Sequence, residues 1–302
     1  MPHAAWTAVN STPFLRKLYK LYRHLPSGVR SPVRWLVMPT WSISFQLIRA
    51  AAGRQVIGGP FCGMTFTPAA AHNGRYYAGY TVGTHELETR EAIEMIVNGG
   101  YGTALNIGAA DGYFAVGLAL RSPMTRVVAY EADESLHPVL TRTARENRVA
   151  DRIEVRGWCD ANSLRRDLDT TAKPMVILMD IEGGEFHLLD PAVTPALRDV
   201  DILVETHDFY VPGCTDTLIE RFSETHHIRR YRSRARVLED FPRDVLPSLQ
   251  RLVPHALVGL MDEDRNAIQE WLFMVRKPGT SPSRTRTADP IRLVPRRTDT
   301  RP

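Results

Sequence analysis

The chain has 302 residues, 43% of them hydrophobic and 24% charged, a balance that excludes low-complexity and fibrous classes and fits a globular protein. Its net charge of +4 is unevenly spread: residues 1–54 hold eight Lys or Arg and no acid, residues 277–302 hold seven against two, and the stretch between is left at −9. The basicity belongs to the ends, no basic stripe marks the middle, and nucleic acid is not an expected partner.

Charges begin only at Arg16, with no clean apolar run and cleavage site after them, so no signal peptide is expected. Phe14 to Leu25 spaces Leu15, Leu18, Leu21 and Tyr22 among Arg16, Lys17, Lys20 and Arg23. This basic amphipathic helix either docks on the body or lies on an anionic membrane surface as a peripheral contact. Trp35 to Ala52 is the most apolar stretch nearby, but Pro39, Gln46 and Arg49 interrupt it short of the ~18–20 apolar residues of a spanning helix. The three cysteines, Cys62, Cys159 and Cys214, are far apart and form no C-x-x-C pair, which argues against a disulfide framework or a zinc site and for a reducing, cytoplasmic location.

Further along, GGPFCGMTFTPAA (58–70) predicts a short β segment. Glu86 to Val97 predicts a helix with Leu87, Ala92, Ile93, Ile96 and Val97 on one face and Thr84 as N-cap. Strands are predicted at Ala104–Ile107, Arg126–Tyr130, Ile153–Arg156, Met175–Met179 and Ile202–Glu205, with helices at Tyr113–Leu120, Leu136–Asn147, Ala161–Leu168 and from Phe186 through Leu189 onward. Two further strands follow in HHIRRYRSRARVL (226–238) and QEWLFMVRK (269–277). Strands alternating with helices imply parallel β-α-β units, so the fold class is α/β: a doubly wound, mostly parallel, seven-stranded Rossmann-like sheet with helices on both faces. The Pro-, Ser-, Thr- and Arg-rich end cannot bury enough apolar surface to form a core and reads as disordered. The organisation is a basic helical extension (1–54), one domain (55–276) and a basic tail (277–302).

In such a sheet the ligand sits at the carboxyl ends of the strands. After the first strand stands Asn106-Ile-Gly108-Ala109-Ala110-Asp111-Gly112-Tyr113, with G-x-x-x-G spacing rather than the dinucleotide G-x-G-x-x-G. A carboxylate at Asp111 would repel a pyrophosphate. The second strand ends at Glu131-Ala132, about 20 residues on, the place of an acid that grips a ribose diol. A ligand with a ribose, no phosphate and a positive charge meets these terms: S-adenosylmethionine.

NIGAADGYF (106–114), VVAYEAD (127–133), MDIEGGEFHLL (179–189) and LVETHDF (203–209), with YTVGTHELE (80–88) ahead of them, resemble the FkbM-type family of class I S-adenosylmethionine-dependent methyltransferases. The resemblance covers roughly Tyr80 to Asp208, with a looser fit at 269–277, and its most specific part is Asp180 to Glu185, D-I-E-G-G-E. It implies a seven-stranded methyltransferase fold and O-methylation of a small-molecule, sugar or glycan hydroxyl. Carried over by position, Gly108 to Tyr113 pass under the methionine moiety, Glu131 holds the ribose, and Asp160-Ala161 faces the adenine. Asn106 departs from the acid often found there, and Asp111 is the residue that would compensate.

Asp180, Glu182, Glu185, His187, His207 and Asp208 gather at the ends of the fourth and fifth strands, and three roles are open to them. Asp180 or His207 is a general base toward an acceptor hydroxyl, with Glu182 beside it. Less favoured, a divalent metal sits on Asp180, Glu182 and His207. Or Glu182 and Glu185 cap the helix that starts at Gly183–Gly184. Packing or surface roles are the simpler reading of His226-His227, of Tyr76, Tyr77 and Tyr80, and of the arginine run Arg229–Arg236. Two rival functions remain: a catalytically degenerate S-adenosylmethionine-binding scaffold, and a nicotinamide-dependent enzyme of similar fold.

Overall fold

The computed structural model describes residues 39–67, 77–263, 265 and 268–278, together with Val29 and Val33. The amphipathic segment at 14–25, Tyr76 and all but the first two residues of the tail lie outside the described residues. No helix among those described is long and apolar enough to cross a membrane.

The centre is a seven-stranded sheet of β1 (Thr103–Ile107), β2 (Arg126–Tyr130), β3 (Ile153–Arg156), β4 (Met175–Met179), β5 (Asp201–Thr206), β6 (His226–Arg232) and β7 (Glu270–Arg276). Its order is β3-β2-β1-β4-β5-β7-β6. The first five are parallel, whereas β7 runs antiparallel to both β5 and β6. The winding reverses between β1 and β4, so the loops leaving these two neighbours diverge and leave a crevice above their carboxyl ends.

The apolar runs explain why these segments are strands. MVILM and TALNI are buried at every position because both sheet faces are covered. Alternation divides the side chains: Val176, Leu178, Leu203, Trp271 and Phe273 enter one core, while Met175, Ile177, Met179, Ile202 and Leu272 enter the other. Helices α3 (Arg90–Val97), α4 (Tyr113–Arg121) and α5 (His137–Glu146) supply Ile93, Val116 and Leu140 to the first core. Helices α6 (Ala161–Thr170) and α8 (Cys214–Phe222) supply Leu164 and Leu218 to the second. Each such aliphatic side chain contributes roughly 1.5–3 kcal/mol on burial. A third cluster joins α1 (Pro39–Ala52), α2 (Tyr77–Val82) and α10 (Pro254–Met261) through Ile48, Val82, Leu257 and Met261. Between α5 and β5 the chain also forms the single-turn α7 (Glu185–Leu188), and α9 (Pro247–Leu252) leads into α10.

The strands and most helices fall where the sequence places them; four details differ. Of the segment expected at 58–70, the described residues 58–67 contribute only Thr65, in an isolated bridge with Gln55. The helix expected from Glu86 begins at Arg90 behind a 3-10 turn, and Thr84 caps nothing, because Glu86 takes a left-handed φ of 46° and breaks the helix. Its N–H is drawn instead to Glu263 Oε1 at 2.6 Å. The sixth strand stops at Arg232 rather than running through the arginines, and α7 ends after one turn. The arginines themselves are paired with acids: Arg229 with Glu91, Arg230 and Arg232 with Glu270, Arg234 with Asp240, and Arg236 with Glu88 and Glu263. His226 is a packing residue, its Nε2 2.9 Å from the Val200 carbonyl, and burial keeps its pKa low. Tyr77 likewise donates to the Gly53 carbonyl.

Candidate active site

The loop after β1 is shaped by close backbone approach. Gly108 has φ +86°, and a Cβ there would fall 1.8 Å from the carbonyl oxygen of Asp180, so only glycine lets the two loops meet. The amides of Gly108 and Ala109 both donate to the Tyr130 carbonyl at 2.9 and 2.8 Å, which fixes the loop to the end of β2. Ala110 is left-handed at φ 46°, a conformation of higher energy for a residue with a Cβ. Gly108→Ala is expected to lower the melting temperature by several degrees, because a Cβ there would meet the Asp180 carbonyl. Thermal melting checks this, and a wild-type melt would refute the close approach.

Around this loop both side-chain atoms of Asn106 and the Tyr113 hydroxyl are buried without hydrogen-bond partners among the described residues, and the buried Asp111 carboxylate is met only by backbone amides, those of Tyr113 and of Asp111 itself. Strand alternation turns Asn106 toward the first core beside Leu178 and Ala129. Burial raises the Asp111 pKa from 3.8 to about 6, against the lowering field of His85. Tyr113 stacks on Tyr80 at 4.5 Å, and His85 stands edge-on to both rings. Tyr80, read from the sequence as packing, therefore also forms a wall of the site.

Glu131 sits at the end of β2 with Oε2 accepting from the Ala110 amide at 2.7 Å and Oε1 from the Asp133 amide at 2.8 Å. Each oxygen keeps a further lone pair. Ala132 and Asp160 are exposed at the ends of β2 and β3. Asp160 caps α6 through its Oδ1 and the Ser163 amide, a bond that lowers its pKa. Ala161 opens that helix.

A cavity of about 920 Å³ opens over β1, β4 and β5, lined by Gly108 to Asp111, Asp180, Glu182 and His207 among others. Phe209 and Tyr210 stand exposed at its mouth. On its floor His207 is buried, its Nδ1 2.9 Å from Glu185 Oε1. Its Nε2 has no hydrogen-bond partner and points at Asp180 Oδ1 (3.5 Å), Glu182 Oε2 (3.6 Å) and Glu205 Oε2 (3.9 Å). Burial opposes charging of His207, yet the Glu185 hydrogen bond and the charges of Glu185, Asp180 and Glu182 outweigh it and raise its pKa. Burial lifts Asp180 to about 6 despite His207 nearby.

Glu185 is the brace of this floor: fully buried, it accepts from the amides of Ile181 and Gly183 at 2.9 and 2.8 Å as well as from His207. Glu182, exposed and left-handed at φ 56°, caps no helix. His187 lies away from the cavity lining, and Asp208 accepts from the Gly213 amide and the amide and hydroxyl of Thr215.

The sequence reading does not single out a second acidic group on the inner wall. Glu86, Glu88, Glu205 and Glu263 surround Arg265, which reaches them at 3.0, 3.2, 3.5 and 2.7 Å. Burial raises Glu205 well above its ordinary range, with Glu86 and Asp180 adding repulsion, and raises Glu86 to about 8. Glu263 goes the other way: burial opposes its ionisation, but Arg265 and His85 hold it well below the carboxylate range. An acid inside the apolar run DILVET was the available signal for Glu205. Nothing local distinguishes Glu86, Glu263 or Arg265, which only the fold brings together.

No family model matches the chain. Among solved structures it is similar to a transferase described as putative from Pyrococcus horikoshii (13% identity, 63% of each chain covered, TM-score 0.38). It is also similar to the O-methyltransferase from Bacillus cereus in complex with S-adenosylhomocysteine (17% identity, 82% of this chain and 97% of that one, TM-score 0.40). A third is the O-methyltransferase TomG from Streptomyces achromogenes in complex with S-adenosylmethionine (15% identity, 82% and 96%, TM-score 0.40). The chain spans 63% of the length of the first of these.

Proposed function

We propose that the chain is an S-adenosylmethionine-dependent O-methyltransferase acting on a hydroxyl of a small molecule or sugar, as its resemblance to the FkbM-type family implies. The observation that carries this reading is the set of buried polar groups that no side chain satisfies, at Asn106, Asp111 and Tyr113, beside a cavity rich in carboxylates. A buried carboxylate that no cation contacts favours a cationic ligand, whereas a pyrophosphate would meet repulsion there. Those groups fit the methionine end of the cofactor. Glu131 and Ala132 would hold the ribose, and Asp160 and Ala161 would face the adenine.

When bound, the cofactor supplies an electrophilic methyl group on sulfur. The chain's own residues do the rest. His207, with its Nδ1 proton held by Glu185, presents a free Nε2 to accept the proton of the acceptor hydroxyl. Asp180 stands 3.5 Å away to balance the imidazolium so formed. The cavity holds donor and acceptor together, and that positioning supplies much of the rate. Exposed Phe209 and Tyr210 give the acceptor entrance an apolar rim.

Asp111→Asn separates cofactor binding from folding. The native pKa is raised, so this group's contribution to stability is complete below about pH 4 and is lost as pH rises through about 6. At neutral pH the buried charge costs as much as about 3 kcal/mol. The variant is therefore expected to melt a few degrees higher at pH 7.5 but to bind S-adenosylhomocysteine roughly 10–100-fold more weakly, with Asn106→Asp much nearer wild type. Calorimetric titration and thermal melting across pH 4–8 check both halves. Unchanged affinity in Asp111→Asn with a large change in Asn106→Asp would reverse the assignment. Stabilisation of the wild type by NAD or NADP alone would end the methyltransferase reading.

A further inference from the structure

We propose that Arg230 and Arg232 form a clamp for an oxyanion at the outer edge of the cavity, so that the acceptor is a hydroxy compound carrying a carboxylate or phosphate group. The substrate class, unlike the clamp itself, rests on the methyltransferase reading. Residues two apart on a strand share a face, so these two side chains of β6 project together, and both line the cavity. Antiparallel pairing sets Glu270 of β7 between Arg232 on one side and Thr206 of β5 on the other. Strands about 4.8 Å apart put β6 roughly 10 Å from β5, the strand that His207 follows.

One carboxylate serves both cations. Glu270 accepts from Arg230 Nε on Oε1 and from Arg232 Nε on Oε2, the latter at 3.0 Å. The Glu270 side chain is only 13% exposed, whereas those of the two arginines are 42% and 64% exposed and free to meet a ligand. Each guanidinium is thus fixed at Nε, and its Nη nitrogens have no hydrogen-bond partner among the described residues. Two positive charges on one negative leave an excess, and two planar forks stand ready for the paired oxygens of a carboxylate or phosphate. The other arginines of the run differ, since none shares its acid with a neighbour in the run: Arg229 has Glu91, Arg234 has Asp240, and Arg236 has Glu88 and Glu263. Asp208 and Asp216 line the same cavity and attract Arg230, but neither makes an ion pair with it. The Asp208 carboxylate accepts instead from Gly213 and Thr215.

The charge of the remaining lining orients such an acceptor. Asp111, Asp180, Glu182 and Glu205 repel an anion from the inner end, where Arg265 is already taken up by four carboxylates. An anionic group is therefore driven to the arginine edge, which leaves the acceptor's hydroxyl toward His207. Exposed Phe209, Tyr210 and Ile268 offer the body of the molecule an apolar surface in the same cavity.

To test this, the full chain and methyl-labelled S-adenosylmethionine are added to a protein-free extract of the source cells, and the products are passed over an anion exchanger at neutral pH. The labelled product should be retained. Phosphatase treatment that abolishes retention assigns a phosphate, and retention that survives it assigns a carboxylate. Arg230→Gln and Arg232→Gln should each raise the KM for that acceptor ~10-fold, the loss of one charge-assisted hydrogen bond, with kcat unchanged. Melting temperature and S-adenosylhomocysteine affinity should stay near wild type, because exposed ion pairs contribute little to stability. An unretained product, or an unchanged KM in both variants, overturns the clamp and leaves the methyltransferase reading standing. Where no product forms, inorganic phosphate titrated calorimetrically into the full chain decides. Saturable binding that weakens in both variants supports the clamp, and no binding, or binding equal in all three proteins, overturns it. Absence of S-adenosylhomocysteine binding removes the methyltransferase reading in either case.

Discussion

His207→Gln is expected to lower the rate of methyl transfer about 10²–10⁴-fold while leaving S-adenosylhomocysteine affinity close to wild type. The reason lies in how the ring is held. Nδ1 is fixed on Glu185 at 2.9 Å, so the neutral ring carries its proton there and offers the Nε2 lone pair to the cavity. Glutamine fills similar space but has no basic nitrogen. The carboxylates of Asp180 and Glu182 stand 3.5 and 3.6 Å from Nε2 and stabilise the imidazolium that proton transfer creates. The same charges, with Glu185, hold the His207 pKa above its ordinary 6.5. The wild-type rate should therefore climb with pH as the ring loses its proton, and the variant should lack that rising limb. Labelled methyl transfer from S-adenosylmethionine into an extract of the source cells, followed across pH 6–9, measures both. A variant with wild-type rate, or with an identical rising limb, would move the base to Asp180.

What the sequence discloses here follows from range. Five parallel strands are legible because burial on both faces leaves near-continuous apolar runs, and MVILM or RVVAY has few other uses. Gly108 and Glu131 are legible because one β-α-β unit fixes their spacing, whereas the capping role of Asp160 at the start of α6 is not read from the sequence, where the resemblance only sets it toward the adenine. His207 and Asp180 are visible as polar residues ending apolar strands. Glu86 was read as part of a helix because ELETREAIEMIV carries a helical apolar period, and only its link to Glu263, 177 positions away, explains why the helix starts late. The ring of Glu86, Glu88, Glu205 and Glu263 about Arg265 is a product of tertiary assembly. No local pattern encodes it. The division of roles between Glu182 and Glu185 is similar in kind: both sit at the start of one turn, and only burial makes one a brace and the other a rim residue.

That brace sets the largest stability effect. Glu185→Ala is expected to cost about 3–5 kcal/mol, since it strands the buried Gly183 amide, the partly buried Ile181 amide and an imidazole that now has no counter-charge on its Nδ1 side. For a chain of this size the melting temperature should fall on the order of 10 °C. Glu185 is fully buried, so no water can replace what the carboxylate does for Ile181, Gly183 and His207. Glu185→Gln is the informative companion. Its single carbonyl oxygen can still accept from one amide, whereas its NH₂ group would face another donor N–H, so an intermediate loss is expected. Thermal melting of both variants, with and without S-adenosylhomocysteine, tells brace from bystander. A wild-type melt for Glu185→Ala would mean that the turn after β4 holds its shape without the carboxylate. The orientation of His207 would then need another cause.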